Sequence, residues 1–237
     1  MEKEIFAVIV AGGSGTRMGT SVPKQFLPLG GRPVLQVSIE KILQGCPSAH
    51  IVVVLPAESV GKWKEMCAAN NFDCPQTIVE GGFTRYHSVR NALAKIPDGA
   101  VVLVHDAVRP MVSADLVRRV AAAMGSARAV VPVVRVQDTI KRLVQDADGG
   151  LCRAEEAGAR EGWSVLDREE LFAAQTPQAF RSEDLKRAYS EAYYSPKLTD
   201  DDSVAAQIGV KTAYVEGERG NFKITTPYDY ELAKTLF

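Results

Sequence analysis

The sequence has little histidine or cysteine, no long apolar run and almost no net charge. Its three histidines, His50, His87 and His105, stand far apart, so a zinc centre built from them is not expected. Its four cysteines, Cys46, Cys67, Cys74 and Cys152, include no C-x-x-C pair. They read as free thiols, mostly structural, in a reducing cytoplasm. No apolar stretch reaches the length that a bilayer requires. The opening Met1-Glu2-Lys3-Glu4 lacks the shape of a signal peptide and leads straight into an apolar run. A formal net charge of −1 gives neither nucleic acid nor an acidic membrane an electrostatic handle. Internal repeats and low-complexity stretches are absent too.

What is present is a chain of 237 residues, 46% of them apolar, enough for one large α/β domain or two small ones. It is organised around its start. Residues 5–11 are an apolar, branched run that predicts a strand buried on both faces. Gly12-Gly13-Ser14-Gly15-Thr16-Arg17-Met18-Gly19 follows at once, then Pro23-Lys24-Gln25. Glycines let the backbone turn sharply and gather N–H groups around one anion, and Arg17 and Lys24 add positive charge at the rim. The spacing excludes the common phosphate motifs. A dinucleotide fingerprint started at Gly13 needs its third glycine where Met18 stands, no Gly-Lys pair exists for a P-loop, and Thr16 breaks a nucleophile elbow. The loop is expected to hold a nucleotide triphosphate; the plainer alternative is a glycine turn between strand and helix.

Apolar periodicity then predicts helices and strands in alternation. A helix opens at Pro33, a strand spans 50–55, and a helix 60–69 precedes a short strand at 77–79. A helix over 85–96, a strand over 101–104, a helix from Ser113 to Met124 and a strand over 129–134 complete the run. This order argues an α/β fold, a Rossmann-like, mostly parallel twisted sheet with helices on both faces. The pattern breaks at 136–143, whose alternation of apolar and polar residues predicts an antiparallel ribbon with a turn at 145–150 and a return strand at 164–168. Together these read as an arm protruding from the domain. Ser182 is expected to cap a helix to about Tyr193. A helix over 200–208, a strand over 212–215 and a last helix at Thr226-Pro227-Tyr228-Asp229 follow.

In open α/β sheets ligands sit beyond the carboxyl ends of strands. Those ends hold Gly81-Gly82 with Arg85 and Ser88, and Asp106 with Arg109. The glycines let a planar base lie against backbone, and Ser88 can hydrogen-bond its edge. Asp106 can hold a cation or accept from a ribose hydroxyl; the plainer alternative is a cap on the turn before Pro110. The triplet Asp200-Asp201-Asp202 reads first as a solvated helix start, with hydroxyl binding or assistance to a metal as the alternatives. Lys223, set between Phe222 and Ile224, points either to solvent or into a site that needs a cation.

Taken together, these residues resemble a known family. The stretch Ala11 to Met18 with Pro23-Lys24-Gln25 resembles the sugar-nucleotidyltransferase signature. Gly81-Gly82-x-x-Arg85-x-x-Ser88-Val89, His105-Asp106-Ala107-Val108-Arg109-Pro110, Asp138-Thr139-Ile140-Lys141, Asp167-Arg168, Gln175-Thr176-Pro177-Gln178, Thr199-Asp200-Asp201 and Lys223-Ile224-Thr225 are similar, in order, to 2-C-methyl-D-erythritol 4-phosphate cytidylyltransferases. The resemblance implies one nucleotidyltransferase domain with a dimerisation β-arm at about 136–170. It implies CMP transfer from CTP to the polyol phosphate, with pyrophosphate released, in non-mevalonate isoprenoid synthesis, using Mg2+ or another divalent cation. Ala11, Gly12, Gly13, Ser14, Gly15 and Thr16 would form the triphosphate loop, with Arg17 and Lys24 stabilising the transition state. Gly81, Gly82 and Ser88 would hold the base, with Arg85 beside them. Asp106, also the candidate metal ligand, would lie with Ala107 and Arg109 around ribose, phosphates and substrate. Lys223 and a partner's Arg168 would position the polyol phosphate in a pocket lined by Thr139, Thr176, Thr199 and Thr225. Two departures stand out: extra residues around 155–162 in the arm, and Phe83 after Gly82, which leaves only backbone for a contact there.

Two other readings remain at this stage. A ribitol 5-phosphate cytidylyltransferase would share the scaffold, but Ser88-Val89 and Asp138-Thr139-Ile140-Lys141 favour methylerythritol phosphate. A non-catalytic nucleotide-binding regulator would keep the glycines without needing Lys24, Arg168 and Lys223 together.

Overall fold

Residues 3–12, 22–141, 143–145, 148–153, 167–195 and 198–237 are described by a computed structural model of the chain. β1 (Ile5–Val10) is central, and Ala7, Val8 and Ile9 have no exposed surface. A hairpin of β2 (Pro28–Leu29) and β3 (Arg32–Pro33) turns through Gly30 and Gly31, whose φ of 56° and 79° lie where a side chain is strained. Next come α1 (Val34–Gly45), β4 (His50–Leu55), α2 (Ala57–Ala69), β5 (Gln76–Glu80), α3 (Arg85–Leu93), β6 (Val101–Asp106), α4 (Ala114–Ala123) and β7 (Ala129–Arg135). Then follow β8 (Leu143–Gln145), β9 (Leu151–Arg153), β10 (Phe172–Ala174), β11 (Gln178–Arg181), α5 (Ser182–Glu191), α6 (Asp201–Ala206), β12 (Thr212–Glu216) and α7 (Pro227–Leu236).

The main sheet runs β10-β7-β11-β6-β1-β4-β5, with β12 also on β7. The pairs β1–β4, β1–β6, β4–β5 and β7–β12 are parallel; those made by β10 and β11 are antiparallel. The twofold period of the strands sends alternate residues to two cores. Ile9, Val53 and Leu103 face α1, α2 and α4 through Leu35, Trp63 and Leu116. Val8, Val52 and Val102 face α3, α5 and α6 through Val89, Leu185 and Val204. α1 and α4 meet at Gly45, where a Cβ would stand 2.5 Å from that of Val117. α7 starts with the expected capping box of Thr226 and Asp229 and closes a smaller core with Leu29, Val34, Val108 and Ile224. Among the described residues no helix is long and apolar enough to cross a membrane.

Three expectations need correction. Residues 136–141 form no strand; the ribbon lies further along, as β8 with β9, which among the described residues pair only with each other. Residues 164–166 of the expected return strand lie outside the described residues. Arg168 starts a short 3-10 turn, and the chain re-enters the sheet at β10 against β7. Ser182 does not cap α5. It is that helix's first residue, and its hydroxyl accepts the Ala100 N–H at 3.1 Å, tying the helix to the start of β6.

Candidate active site

The chain runs from β1 outward to β4 on one side and returns to β6 on the other, so the crevice between β1 and β6 is a topological switch point. A cavity of about 220 Å³ opens there, at the carboxyl ends of both strands. Its walls bring together Ala11, Gly12, Lys24, Arg85, Ser88, Asp106 and Lys223, residues spread across the whole chain.

Local chemistry fixes each wall. Lys24 lies in a 3-10 turn and is buried, its Nζ donating to the Ile224 carbonyl at 3.0 Å. Gln25 beside it donates to the Ala11 carbonyl at 2.9 Å, pinning the turn to the end of β1. Ser88 sits under the glycines, and its hydroxyl accepts the Gly82 N–H at 3.1 Å. A Cβ would come within 3.1 Å of that hydroxyl at Gly81, and within 2.4 Å of the His87 Cβ at Gly82, so a larger residue at either position would displace the floor. The Phe83 side chain is fully exposed, its ring 6.4 Å from His87.

Asp106 is the electrostatic centre. Its Oδ1 lies 3.6 Å from Arg85 Nε; its Oδ2 lies 3.0 Å from Lys223 Nζ and 3.4 Å from Arg109 Nε. Burial alone would raise its pKa, but Arg85, Lys223 and Arg109 hold the carboxyl well below the usual carboxylate range. Lys223 is thus turned into the site. Arg109 also donates to the Asn221 carbonyl at 2.8 Å. Arg85 is also paired with Asp201 at 2.6 Å, so Lys24, Arg85, Arg109 and Lys223 stand against Asp106 and Asp201, which still leaves an excess of positive charge suited to a polyanion.

The backbone of Asp106 is set by a histidine whose role the sequence did not reveal. His105 is wholly buried, and burial, assisted by Arg109 and opposed by Asp106, lowers its pKa to about 4. Its neutral ring must donate from Nε2 to the Arg109 carbonyl, 3.3 Å away. Nδ1 then accepts the Thr176 hydroxyl at 3.0 Å, while that hydroxyl's oxygen accepts the Asp106 N–H at 3.1 Å. Linkage gives the sign. The unfolded chain takes up a proton near pH 6.5 and the folded one only near 4, so stability is full above 6.5 and falls as pH drops towards 4. The loss is on the order of 3 kcal/mol. Urea unfolding of the metal-free protein should show this slope, and His105→Gln should flatten it. An unchanged slope in the variant would assign it to other groups.

Several expected site residues stand elsewhere. Thr176 is buried, and its hydroxyl is committed to His105 and Asp106. Ala107 is buried, with its N–H given to Val10 and its carbonyl taken by Ser38. Thr139 and Thr199 are exposed and do not line the cavity; Thr225 is half-buried and donates to the Lys223 carbonyl at 3.2 Å. Arg168 is exposed, donates to the Gln137 carbonyl at 3.3 Å and does not reach the cavity of its own chain. Gly13, Ser14, Gly15, Thr16 and Arg17 lie outside the described residues, as do the extra residues at 155–162. Asn221 is the residue the sequence reading passed over. Fully buried, it holds Arg109 through its carbonyl and the Thr176 carbonyl through its amide, and the glycine before it was its one signal.

A family model for 2-C-methyl-D-erythritol 4-phosphate cytidylyltransferase matches residues 5–237. A protein of that name from Bacteroides fragilis is 41% identical over 230 residues, covering 97% of this chain and 98% of the relative. One from Porphyromonas gingivalis is 38% identical over 237 residues, covering 100% and 99%. The crystal structure of the Thermus thermophilus protein of the same name is 32% identical, with a TM-score of 0.69 and coverage of 100% and 98%. The 4-diphosphocytidyl-2C-methyl-D-erythritol synthase structure from Anaerococcus prevotii gives a TM-score of 0.77 at 27% identity, covering 99% and 96%.

Proposed function

The chain belongs to the 2-C-methyl-D-erythritol 4-phosphate cytidylyltransferase family, and from that membership we propose how its residues divide the work. It is a nucleotidyltransferase that moves CMP from CTP to 2-C-methyl-D-erythritol 4-phosphate, giving 4-diphosphocytidyl-2-C-methyl-D-erythritol and pyrophosphate in non-mevalonate isoprenoid biosynthesis. The observation that carries the division of roles is the carboxylate of Asp106 facing Arg85, Arg109 and Lys223, beside the buried Lys24.

The attacking group is a phosphate oxygen that is already anionic, so no general base is needed. The barrier is the meeting of two polyanions and the charge that develops at the α-phosphorus. Lys24, with Arg17 from the glycine loop, places positive charge where that charge develops. Gly81, Gly82 and Ser88 receive the cytosine against backbone. Lys223, freed from Asp106 by a competing phosphate, and Arg109 fix the polyol phosphate and remove much of the entropic cost of encounter.

We propose a divalent cation held chiefly by the substrate phosphates, with Asp106 as its protein donor. Among the described residues no group of three or more His, Cys, Asp or Glu forms a cage, and Asp106 is the one carboxylate lining the cavity. Mg2+ is commonly held by one or two carboxylates together with substrate phosphates. Bound there, it would neutralise triphosphate charge. The remaining roles extend the same reading. The separate β8–β9 ribbon supports an arm that joins two copies, and Arg168, exposed and away from its own cavity, would serve the neighbour's site. Four cysteines without a C-x-x-C pair support a reducing cytoplasm as the place of action.

Pyrophosphate release from each of the four nucleoside triphosphates, with methylerythritol phosphate and with ribitol 5-phosphate, tests the reading. Turnover is expected with CTP and methylerythritol phosphate, and is expected to stop in excess chelator. Full turnover without divalent cation would reject the metal's role; a preference for ribitol phosphate would reject the assignment of the polyol.

A further inference from the structure

We propose that Asp201, backed by Tyr189, is a positioning residue for nucleotidyl transfer: it anchors the Arg85 guanidinium at the cavity wall and keeps it from closing onto Asp106. The proposal rests on reading the cavity as the CTP site.

Asp201 stands in the first turn of α6, has no exposed surface and does not line the cavity. Both of its carboxylate oxygens are engaged. Oδ2 accepts from Arg85 Nη2 at 2.6 Å, and Oδ1 accepts from the Tyr189 hydroxyl at 2.6 Å. Its own N–H donates to Gln178 Oε1 at 3.1 Å, so backbone and side chain are both held. Tyr189 of α5 is held in turn: its ring lies 4.6 Å from that of Tyr86, and its carbonyl accepts the Tyr86 hydroxyl at 2.7 Å. Tyr86 follows Arg85 on α3. The contacts therefore close a ring from Arg85 through Asp201 and Tyr189 back to the helix that carries Arg85.

A carboxylate so deeply buried is costly unless it is paired and hydrogen-bonded, and this one is paired with a side chain that does line the cavity. Arg85 is shared unequally, 2.6 Å from Asp201 but 3.6 Å from Asp106. The guanidinium is a rigid planar fork, so docking Nη2 on Asp201 fixes its plane and turns Nε towards Asp106. An Arg85 released from Asp201 would gain most by a two-pronged pairing with Asp106. That pairing would compete for Oδ2, which now faces Lys223 and Arg109. Burial works against the Arg85 charge, but Asp201 and then Asp106 more than offset it and raise its pKa, as expected of a cation held between two carboxylates.

The test is a double-mutant cycle of Asp201→Asn and Arg85→Ala, read as kcat/KM for CTP in single-turnover pyrophosphate release, with the thermal midpoint recorded for each variant. Asp201→Asn alone is expected to lower kcat/KM by about 10- to 100-fold, the scale of a misplaced reacting group. In the Arg85→Ala background it should add less than about twofold, because the path it acts through is gone. Tyr189→Phe keeps the ring, removes one hydroxyl and should show a smaller loss that also vanishes in that background. It decides the matter if Asp201→Asn does not fold. Losses that multiply on both backgrounds, or a wild-type Asp201→Asn, would overturn the proposal. Absence of CTP turnover in the wild-type protein would overturn the reading of the cavity itself; turnover with multiplying losses would overturn only the role of Asp201.

Discussion

Alanine at position 24 is expected to lower kcat by roughly 100- to 1000-fold, the scale of losing one preorganised donor to a developing charge. Lys24 is a buried ammonium, held by the Ile224 carbonyl at 3.0 Å and by a turn that Gln25 ties to the end of β1. Its position is therefore fixed before substrate arrives, and no reorganisation is required at the moment of transfer. On the proposed division of roles, in which no proton is removed from the nucleophile, charge placed at the α-phosphorus is the main protein contribution to the chemical step. The variant loses that charge without losing Gly81, Gly82 or Ser88, so CTP should still bind through its base. Single-turnover pyrophosphate release at saturating CTP separates the two effects. A raised KM with kcat intact would mean that Lys24 binds ground state and transition state alike. Arg17→Ala is expected to act in the same direction.

Lys24 also shows where the sequence could be read and where it could not. The strands that build the cavity floor were legible, because a period of two or an unbroken branched run reports burial locally. The strand 50–55 matches β4, and Ser113 does accept from the Leu116 N–H as the cap of α4. The glycines and Asp106 were legible because they stand at strand ends, whereas Lys223, beyond the end of β12 at Glu216, was left open between solvent and a site. The partners that give them their roles were not. The carbonyl that holds Lys24 is two hundred residues away in the chain, and no local pattern encodes such a meeting. β11 was missed because it is short and enters directly after Thr176-Pro177, between two strands of opposite direction.

The acid triplet illustrates the same limit. Read as one solvated cluster, its members do three different things, since a helix turns each residue about 100° from the last. Asp200 caps α6 through the Ser203 N–H, Asp201 is buried against Arg85, and Asp202 accepts the Thr212 hydroxyl at 2.5 Å. The ribbon was misplaced for a related reason. Alternation over 136–141 satisfies a strand pattern, but among the described residues no strand pairs with that stretch, whereas 143–145 and 151–153 pair antiparallel with each other.

Arg168→Ala and Lys24→Ala, each nearly inactive alone, are expected to restore about a quarter of wild-type activity when mixed under conditions where protomers exchange. The expectation follows from the proposed sharing of sites across a two-fold pair. Arg168 is exposed, rests against the Gln137 carbonyl at 3.3 Å and Glu169 at 3.7 Å, and is absent from the walls of its own chain's cavity. Neither contact is worth much at a solvated surface, so a phosphate in a neighbouring copy's site could draw the guanidinium away at little cost. In random equal mixing about half of the pairs are mixed. In each mixed pair one site collects both defects, and the other joins an intact Lys24 to an intact Arg168 from the partner. One good site of two in about half of the pairs gives about a quarter. If Arg168 served its own chain, every site would keep one defect and mixing would restore nothing. Native mass spectrometry on protomers of different mass verifies exchange. Exchange without recovered turnover would reject the shared site and leave the CMP transfer chemistry as it stands.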